Sequence, residues 1–308
     1  VHYRGFGWFG PMNRAGVFSP LAQFFRLNQH LFRGKRHVCE IGVLRTSATM
    51  NNSCRAAHEN VYPVEETLIC EKLPFGLVYD SNSNSLGAYK VLIAAEQRAL
   101  SDEWISALLA FVKSGGGVVF TGGTGAYDGW YRPREGGDPP HGLAPFFGEA
   151  PGKYTEKKLG AGRIAYVPQL ELPYRMPRSD WPGIPLDKIL PLKNPKPLLK
   201  AVRFAAAGPF IAEAAGPASV AMEVIEGETP GSLSLHFVNY DPAKKGRLKV
   251  RLRLDGRKKP EAFLLLPAKD SAKSLIPPPP RKIPLRSAGN AVTFSVPVPQ
   301  VYCAVLVK

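Results

Sequence analysis

The sequence predicts an α/β domain on a parallel sheet, followed by a small antiparallel β-sandwich. Three observations carry this. Residues 86–128 read strand, helix, Gly turn, strand, with both strands apolar throughout. After Gly208-Pro209 the apolar residues begin to alternate with polar ones. The length of 308 residues is enough for two cores, one for each pattern.

In chain order, residues 1–20 are rich in glycine and aromatics and read as an irregular lead-in. LAQFFRLNQHLF (21–32) places Leu21, Phe24, Phe25, Leu27, Leu31 and Phe32 at helical spacing, with Pro20 near the start and Gly34 past the end. Lead-in and connecting helix together occupy 1–35. The α/β domain is expected over 36–207, beginning with the strand VCEIGVL (38–44). Residues 46–64 are polar, contain Asn51-Asn52, and are expected to be irregular. A helix over 65–73 and a second strand, FGLVYD (75–80), follow.

KVLIAA (90–95) is the third strand. Ser101 is a fitting helix N-cap, and Asp102 and Glu103 suit the positive end of the helix dipole. Trp104, Ile105, Leu108, Leu109, Phe111 and Val112 form one apolar face. Gly115, Gly116 and Gly117 stop the helix, and GVVFTG (117–122) is the fourth strand, completing a right-handed βαβ unit. Residues 128–158 read as a long Gly- and Pro-rich loop broken by GLAPFFG (142–148), and loops of that length often serve as lids or partner contacts. RIAYVP (163–168) is the fifth strand, primed by Gly160-Ala161-Gly162. Residues 174–197 are Pro-rich, and LLKAVRFAAA (198–207) closes the domain as a helix.

The sandwich is expected over 208–308. Its strands are SVAMEVIE, SLSLHFVNYD, RLKVRLRL, EAFLLLP, NAVTFSVPV and YCAVLVK. Leu248, Val250, Leu252 and Leu254 alternate with Lys249, Arg251 and Arg253, so one face is buried and the other solvated. The proline run 277–280 suits an exposed connection.

The totals exclude several classes of function. No apolar run approaches the roughly 18 residues of a membrane span, and VHYRGFGWFG is unlike a signal peptide. The first residue is Val, which leaves processing, trimming or an alternative start open. Cys39, Cys54, Cys70 and Cys303 are scattered, with no CxxC, so no metal site is expected. Free thiols suit a reducing, cytoplasmic setting. The net charge is +15, and from Ala218 to Lys308 there are 15 Lys or Arg against 7 Asp or Glu. Such an excess attracts nucleic acid, acidic polysaccharide or anionic membrane. The reading adopted is a solvated sheet face, with neither nucleic acid nor membrane as partner.

Ligands of an open parallel sheet bind beyond the carboxyl ends of the strands. Delivered there are Arg45, Thr46, Asp80, Glu96, residues 121–128 and residues 169–171. Glu96, Asp128 and Glu171 are the candidate acid-base carboxylates, and Asp80, Thr121 and Thr124 are candidate binding residues. TGGTGAYDG (121–129) lacks the Lys-Ser/Thr pair of a phosphate loop and the spacing of a dinucleotide fingerprint. A tight turn is expected there, and no cofactor. No Gly-x-Ser-x-Gly elbow follows any strand. Cys54 and His58 are the one close Cys–His pair, with nothing to orient the base.

YKVLIAAEQRALSDEWISALLAFVKSGGGVVFTGGTGAYD and GAGRIAYVPQLE resemble the middle, trimerisation domain of family-42 β-galactosidases, whose flavodoxin-like fold is that of class I glutamine amidotransferases. The strands from SLSLHFVNYD to VYCAVLVK resemble the β-sandwich that ends such chains, and residues 21–44 resemble the passage out of the catalytic barrel. In that family both catalytic glutamates come from the barrel, which takes at least ~200 residues, whereas 20 residues precede Leu21. The amidotransferase cysteine elbow is replaced by Gly122-Gly123-Thr124. The resemblance therefore implies a glycoside-hydrolase-associated module with a non-catalytic, assembly or carbohydrate-contacting role. Its partners would be copies of itself or a catalytic barrel, and Trp130, Tyr131 and Arg132 would pack on a neighbouring subunit or stack on sugar. Two alternatives stand beside it: a hydrolase of glycosidic or ester bonds using Glu96, Asp128 and Glu171, and a binder of acidic polymer through the basic region 244–259.

Overall fold

The structure, a computed structural model, describes residues 15–52, 54–134, 141–173, 190–227, 229, 231–256, 260–268 and 278–308. The start of the lead-in, parts of both Pro-rich stretches, Pro277, residues 257–259 and the side chains of Cys54 and His58 lie outside the described residues.

Helix α1 (Ala15–Leu27) begins earlier than its apolar spacing indicates, with Pro20 inside it. A 3-10 turn (Gln29–Leu31) follows. The parallel region then runs β1 (Ile41–Leu44), α2 (Ser47–Asn52), α3 (Cys54–Cys70), β2 (Phe75–Val78), β3 (Val91–Ala95), α4 (Asp102–Lys113), β4 (Gly117–Thr121), α5 (Ala144–Phe147), β5 (Thr155–Leu159), β6 (Gly162–Val167) and α6 (Lys196–Ala206). The sheet order is β2-β1-β3-β4-β6-β5, parallel except for β5, which pairs antiparallel with β6 at the edge. Every residue of β1, β3 and β4 is buried, as strands covered on both faces must be. Helices α3 and α6 cover one face, and α4 and α5 the other.

The βαβ unit forms as its pattern dictates. Ser101 Oγ accepts from Trp104 N (3.3 Å), and Trp104, Ile105, Leu108, Phe111 and Val112 are buried. Leu109 lies half-buried at the margin of that face. On the opposite face, a Cβ at Gly117 would overlap the carbonyl of Ala205, so α6 reaches the sheet backbone itself.

Two expectations need correction. Residues 46–64 are largely helical, not irregular. Pro63 sits within α3, which costs a helix about 3 kcal/mol. Val61, Val64 and Leu68, at helical spacing, become fully buried, and three such side chains contribute roughly 5–9 kcal/mol. Burial wins. Residues 128–158 are likewise not one loop, since α5 and β5 interrupt them. β5 reads Thr-Glu-Lys-Lys-Leu because an edge strand tolerates, and is protected by, charge.

The remainder forms two antiparallel sheets from β7 (Ala212–Ala215), β8 (Val220–Glu226), β9 (Leu233–Asn239), β10 (Arg247–Arg253), β11 (Ala262–Leu265), β12 (Arg281–Ile283), β13 (Arg286–Ser287), β14 (Ala291–Pro297) and β15 (Tyr302–Val307). Their orders are β13-β14-β10-β7 and β12-β11-β15-β9-β8, and alternate residues of both fill one core. The outer face of the five-stranded sheet is covered by Phe24 and Leu31, packed on Leu265, Tyr302 and Ala304. The chain after α1 extends the edge of β8: Val38 N donates to Val224 O (2.8 Å) and Glu226 N to Arg36 O (3.0 Å). Glu40 then ties the two regions, accepting from Ile211 N (2.6 Å) and from Arg253 Nη2 (2.8 Å). No helix among the described residues is long and apolar enough to cross a membrane.

Candidate functional site

The carboxyl ends of β1, β3 and β4 are where the sequence places its candidate residues. The switch in strand order lies between β1 and β3, where an open sheet ordinarily leaves a crevice. Here side chains of the chain itself occupy it. Gln97 is fully buried: its Oε1 accepts from Thr46 N (2.8 Å) and Thr46 Oγ1 (3.2 Å), and its Nε2 donates to Ala95 O (3.0 Å). Thr49 Oγ1 donates to Ala99 O (3.1 Å), which also lies 3.0 Å from Thr46 Oγ1, so the single Thr46 hydroxyl proton is shared between that carbonyl and Gln97 Oε1. Thr124, also fully buried, has its hydroxyl within reach of Thr121 O (2.6 Å) and Ala94 O (2.9 Å), its one proton going to either, and its Oγ1 accepts from Gln97 N (3.2 Å). Thr121 Oγ1 accepts from Glu96 N (3.1 Å). These buried side chains direct their hydrogen bonds at one another and at the backbone, as buried polar groups do, although Arg98 Nε beside them is buried without a partner among the described residues.

Each candidate carboxylate is held by a different neighbour. Glu96 has φ +47, uncommon for a residue with a side chain, and its Oε2 accepts from Gly123 N (3.2 Å). A Cβ on Gly122 would overlap the Glu96 carboxylate, which explains the glycine. Asp128 organises the following turn: Oδ1 accepts from Trp130 N and Arg132 N (both 2.9 Å), and Oδ2 pairs with Arg132 Nη2 (2.7 Å). The Arg132 backbone N–H foremost, with the guanidinium, holds the Asp128 carboxyl below its usual range. Glu171 is exposed and accepts from Asn194 Nδ2 (2.9 Å). Asp80 accepts from Ser47 N (2.8 Å) and Trp104 Nε1 (2.6 Å). Burial opposes its ionisation, but these hydrogen bonds outweigh it and keep the carboxyl low.

The turn after β4 presents aromatics. Tyr131 has φ +61 and stacks on Tyr127 (4.4 Å, 9°), and the Arg98 guanidinium lies over the same Tyr127 ring (5.3 Å). Trp130 is 84% exposed.

The structure thus brings Thr46, Glu96, Thr121 and Thr124 together around one carboxyl edge, with Trp130, Tyr131 and Arg132 on the neighbouring turn. Gln97, the hub, and Thr49 escaped sequence reasoning. Neither has a local signal, because Thr46, which Gln97 Oε1 meets, lies 51 residues away, and Ala99, which Thr49 Oγ1 meets, lies 50 away. Among the described residues no three His, Cys, Asp or Glu side chains gather as a metal site. A cavity of about 620 Å³ opens elsewhere, beside Pro260, Glu261, Lys282 and Leu285.

No family model matches the sequence, and no curated protein matches it. Solved structures do match in fold. A β-galactosidase from Bacillus circulans sp. alkalophilus superposes with TM-score 0.55 at 12% identity, covering 95% of this chain and 45% of that one. α-L-fucosidase isoenzyme 2 from Paenibacillus thiaminolyticus gives 0.55 at 15% identity, with 92% and 50% covered. A catalytic mutant of Gan42B, a GH42 β-galactosidase from G. stearothermophilus, gives 0.52 at 14%, with 88% and 40% covered. The chain therefore spans 40% to 50% of the length of these glycosidases and shares the fold of that part.

Proposed function

We propose that this chain is a non-catalytic module of glycoside-hydrolase type, acting in assembly and in contact with carbohydrate, in a reducing, cytoplasmic setting. The observation that carries the proposal is the filled switch point: Thr46, Thr49, Gln97 and Thr124 are buried where a substrate would bind, and their hydrogen bonds are directed at one another and at the backbone. Glu96, Asp128, Asp80 and Glu171 serve local structure in this reading. The order of the five parallel strands, β2-β1-β3-β4-β6, supports a flavodoxin-like domain over 36–207, which we assign as the counterpart of a trimerisation domain. The shared core of the two antiparallel sheets supports a β-sandwich over 208–308. The Trp130 turn is the surface offered to a second copy or to a catalytic barrel.

The test is a screen of the purified chain against chromogenic glycosides and esters, with its mass in solution. The expected result is no hydrolysis and a mass above one chain, reduced by Trp130→Ala. Turnover abolished by alanine at Glu96, Asp128 or Glu171 would overturn the proposal in favour of a hydrolase at this edge.

A further inference from the structure

The outer face of the four-stranded sheet carries a charge pattern that the fold itself does not require. Along β10, Leu248, Val250 and Leu252 enter the core, while Arg247, Lys249, Arg251 and Arg253 face outward. Register extends the pattern sideways: Arg251 lies opposite Thr293 of β14, and Thr293 opposite Arg286 of β13. With about 6.8 Å between alternate residues and about 4.8 Å between strands, Arg247, Lys249, Arg251 and Arg286 share a patch of roughly 14 by 10 Å.

The acidic neighbours are engaged elsewhere. Glu213 stands directly opposite Arg251 on β7, yet it pairs with Arg203 of α6 (2.7 Å). Glu40 and Asp255 neutralise Arg253. Among the described residues, Arg247 bonds neutral acceptors, Ser295 Oγ (2.8 Å) and Ser295 O (3.1 Å). Arg251 Nη1 is withdrawn from water and has no hydrogen-bond partner among the described residues. Among the described residues, Lys249, Arg251 and Arg286 face no acidic partner, and exposed Lys244 and Lys245 add to the charge at the turn before β10. Four like charges this close repel one another, and a polyanion laid across them removes that repulsion while forming charge-assisted hydrogen bonds.

We infer that this face binds an acidic polysaccharide, whose carboxylate or sulfate groups pair with Arg247, Lys249, Arg251 and Arg286 while sugar hydroxyls meet Thr293 and Ser295. The outward positions of β10 and β14 hold no aromatic ring on which nucleic-acid bases could stack. A flat sheet face also does not enter a duplex groove as a helix or ribbon does. The choice of a glycan rests on the module reading above, whereas the cationic face does not.

The test measures binding of the full chain to dextran sulfate, neutral dextran and double-stranded DNA over roughly 50 to 300 mM salt. Dextran sulfate should bind and weaken steeply with salt, neutral dextran should not bind, and DNA should bind more weakly at equal charge concentration. Lys249→Ser with Arg251→Ser should lower the dextran sulfate affinity about 10-fold or more and reduce the logarithmic salt slope by about 2. Lys153→Ser with Lys158→Ser removes equal charge from exposed positions beside and on β5 and should change affinity less than about 2-fold. Salt-insensitive binding, binding of neutral dextran, or equal effects of the two double variants would overturn the inference. Tighter binding of DNA would overturn the glycan in favour of nucleic acid. Neither result bears on the mass and turnover that test the module reading, so the two can fail separately.

Discussion

The carboxyl end of the parallel sheet and the outer face of the four-stranded sheet both collect polar side chains, and they treat them in opposite ways. At the first, Thr46, Gln97 and Thr124 are fully or almost fully buried, and their hydrogen bonds go to groups of the same chain. At the second, Arg251 and Lys249 stand outward, and Glu213, the carboxylate opposite Arg251 in register, is bonded to Arg203 instead. The first region has the position of an active site with the chemistry of a core. The second has no cleft, yet its charge is left unbalanced by the fold. Polar density alone therefore says little about function, and the balance of donors, acceptors and charge says more.

The contrast breaks most visibly at Gln97. Gln97→Leu strands the buried Thr46 N–H and Ala95 carbonyl, and urea unfolding should show a loss of about 3 kcal/mol. A loss below about 1 kcal/mol would mean that water reaches this edge.

A buried base gives the next effect. His236 is 4% exposed, with Nε2 2.8 Å from Ser234 Oγ and Nδ1 2.5 Å from Tyr302 Oη, beneath the Phe32 ring (4.9 Å). Burial first, and the charge of His37 second, lower its pKa from 6.5 to about 3. Between those values the unfolded chain binds a proton that the folded chain does not, so this group weakens stability as pH falls below 6.5 and has no influence above it. The loss at pH 5 is about 2 kcal/mol, and His236→Gln should flatten that part of the profile. A wild-type profile already flat over this range would place water at His236.

Smaller effects sharpen the comparison. Gly122→Ala meets two obstacles: φ +51 and the Glu96 carboxylate. The carboxylate can swing away and the backbone cannot, so the expected loss is about 1 kcal/mol. Adding Glu96→Ala should recover only part of it in a double-mutant cycle. Full recovery would assign the whole effect to the side chain. Arg251→Ser should change thermal stability least, within about 0.5 kcal/mol, because no hydrogen bond or ion pair is lost. A loss above about 1 kcal/mol would show the outer face to be structural after all.

Much of the fold was legible where a local rule applies. Alternation along 247–254, continuous apolarity at 91–95 and the Ser101 cap each report one strand or helix without reference to its neighbours. Helix α3 was legible only over its last turns, expected from residue 65, because Pro63 is a breaker locally and only the packing of Val61, Val64 and Leu68 overrules it; Asn51-Asn52 likewise hid α2. The edge strands β5, β7, β12 and β13, reading TEKKL, AEAA, RKI and RS, show neither a continuous run of large apolar residues nor a sustained alternation. At the candidate site, Thr46, Asp80, Glu96 and Thr124 were correctly delivered to the strand ends, while the role of Gln97 was invisible.

The sequence by itself determined what depends on neighbours within a few positions: which segments are apolar throughout, which alternate, where a helix can start, and that the last third is basic. Tertiary structure alone decided which carboxylate meets which cation and which polar groups are taken out of water. Glu213 faces Arg251 in register but bonds Arg203, and Gln97 meets Thr46 only when β1 and β3 lie side by side. Periodicity is a property of one segment, whereas hydrogen bonding and charge compensation belong to pairs brought together from distant parts of the chain.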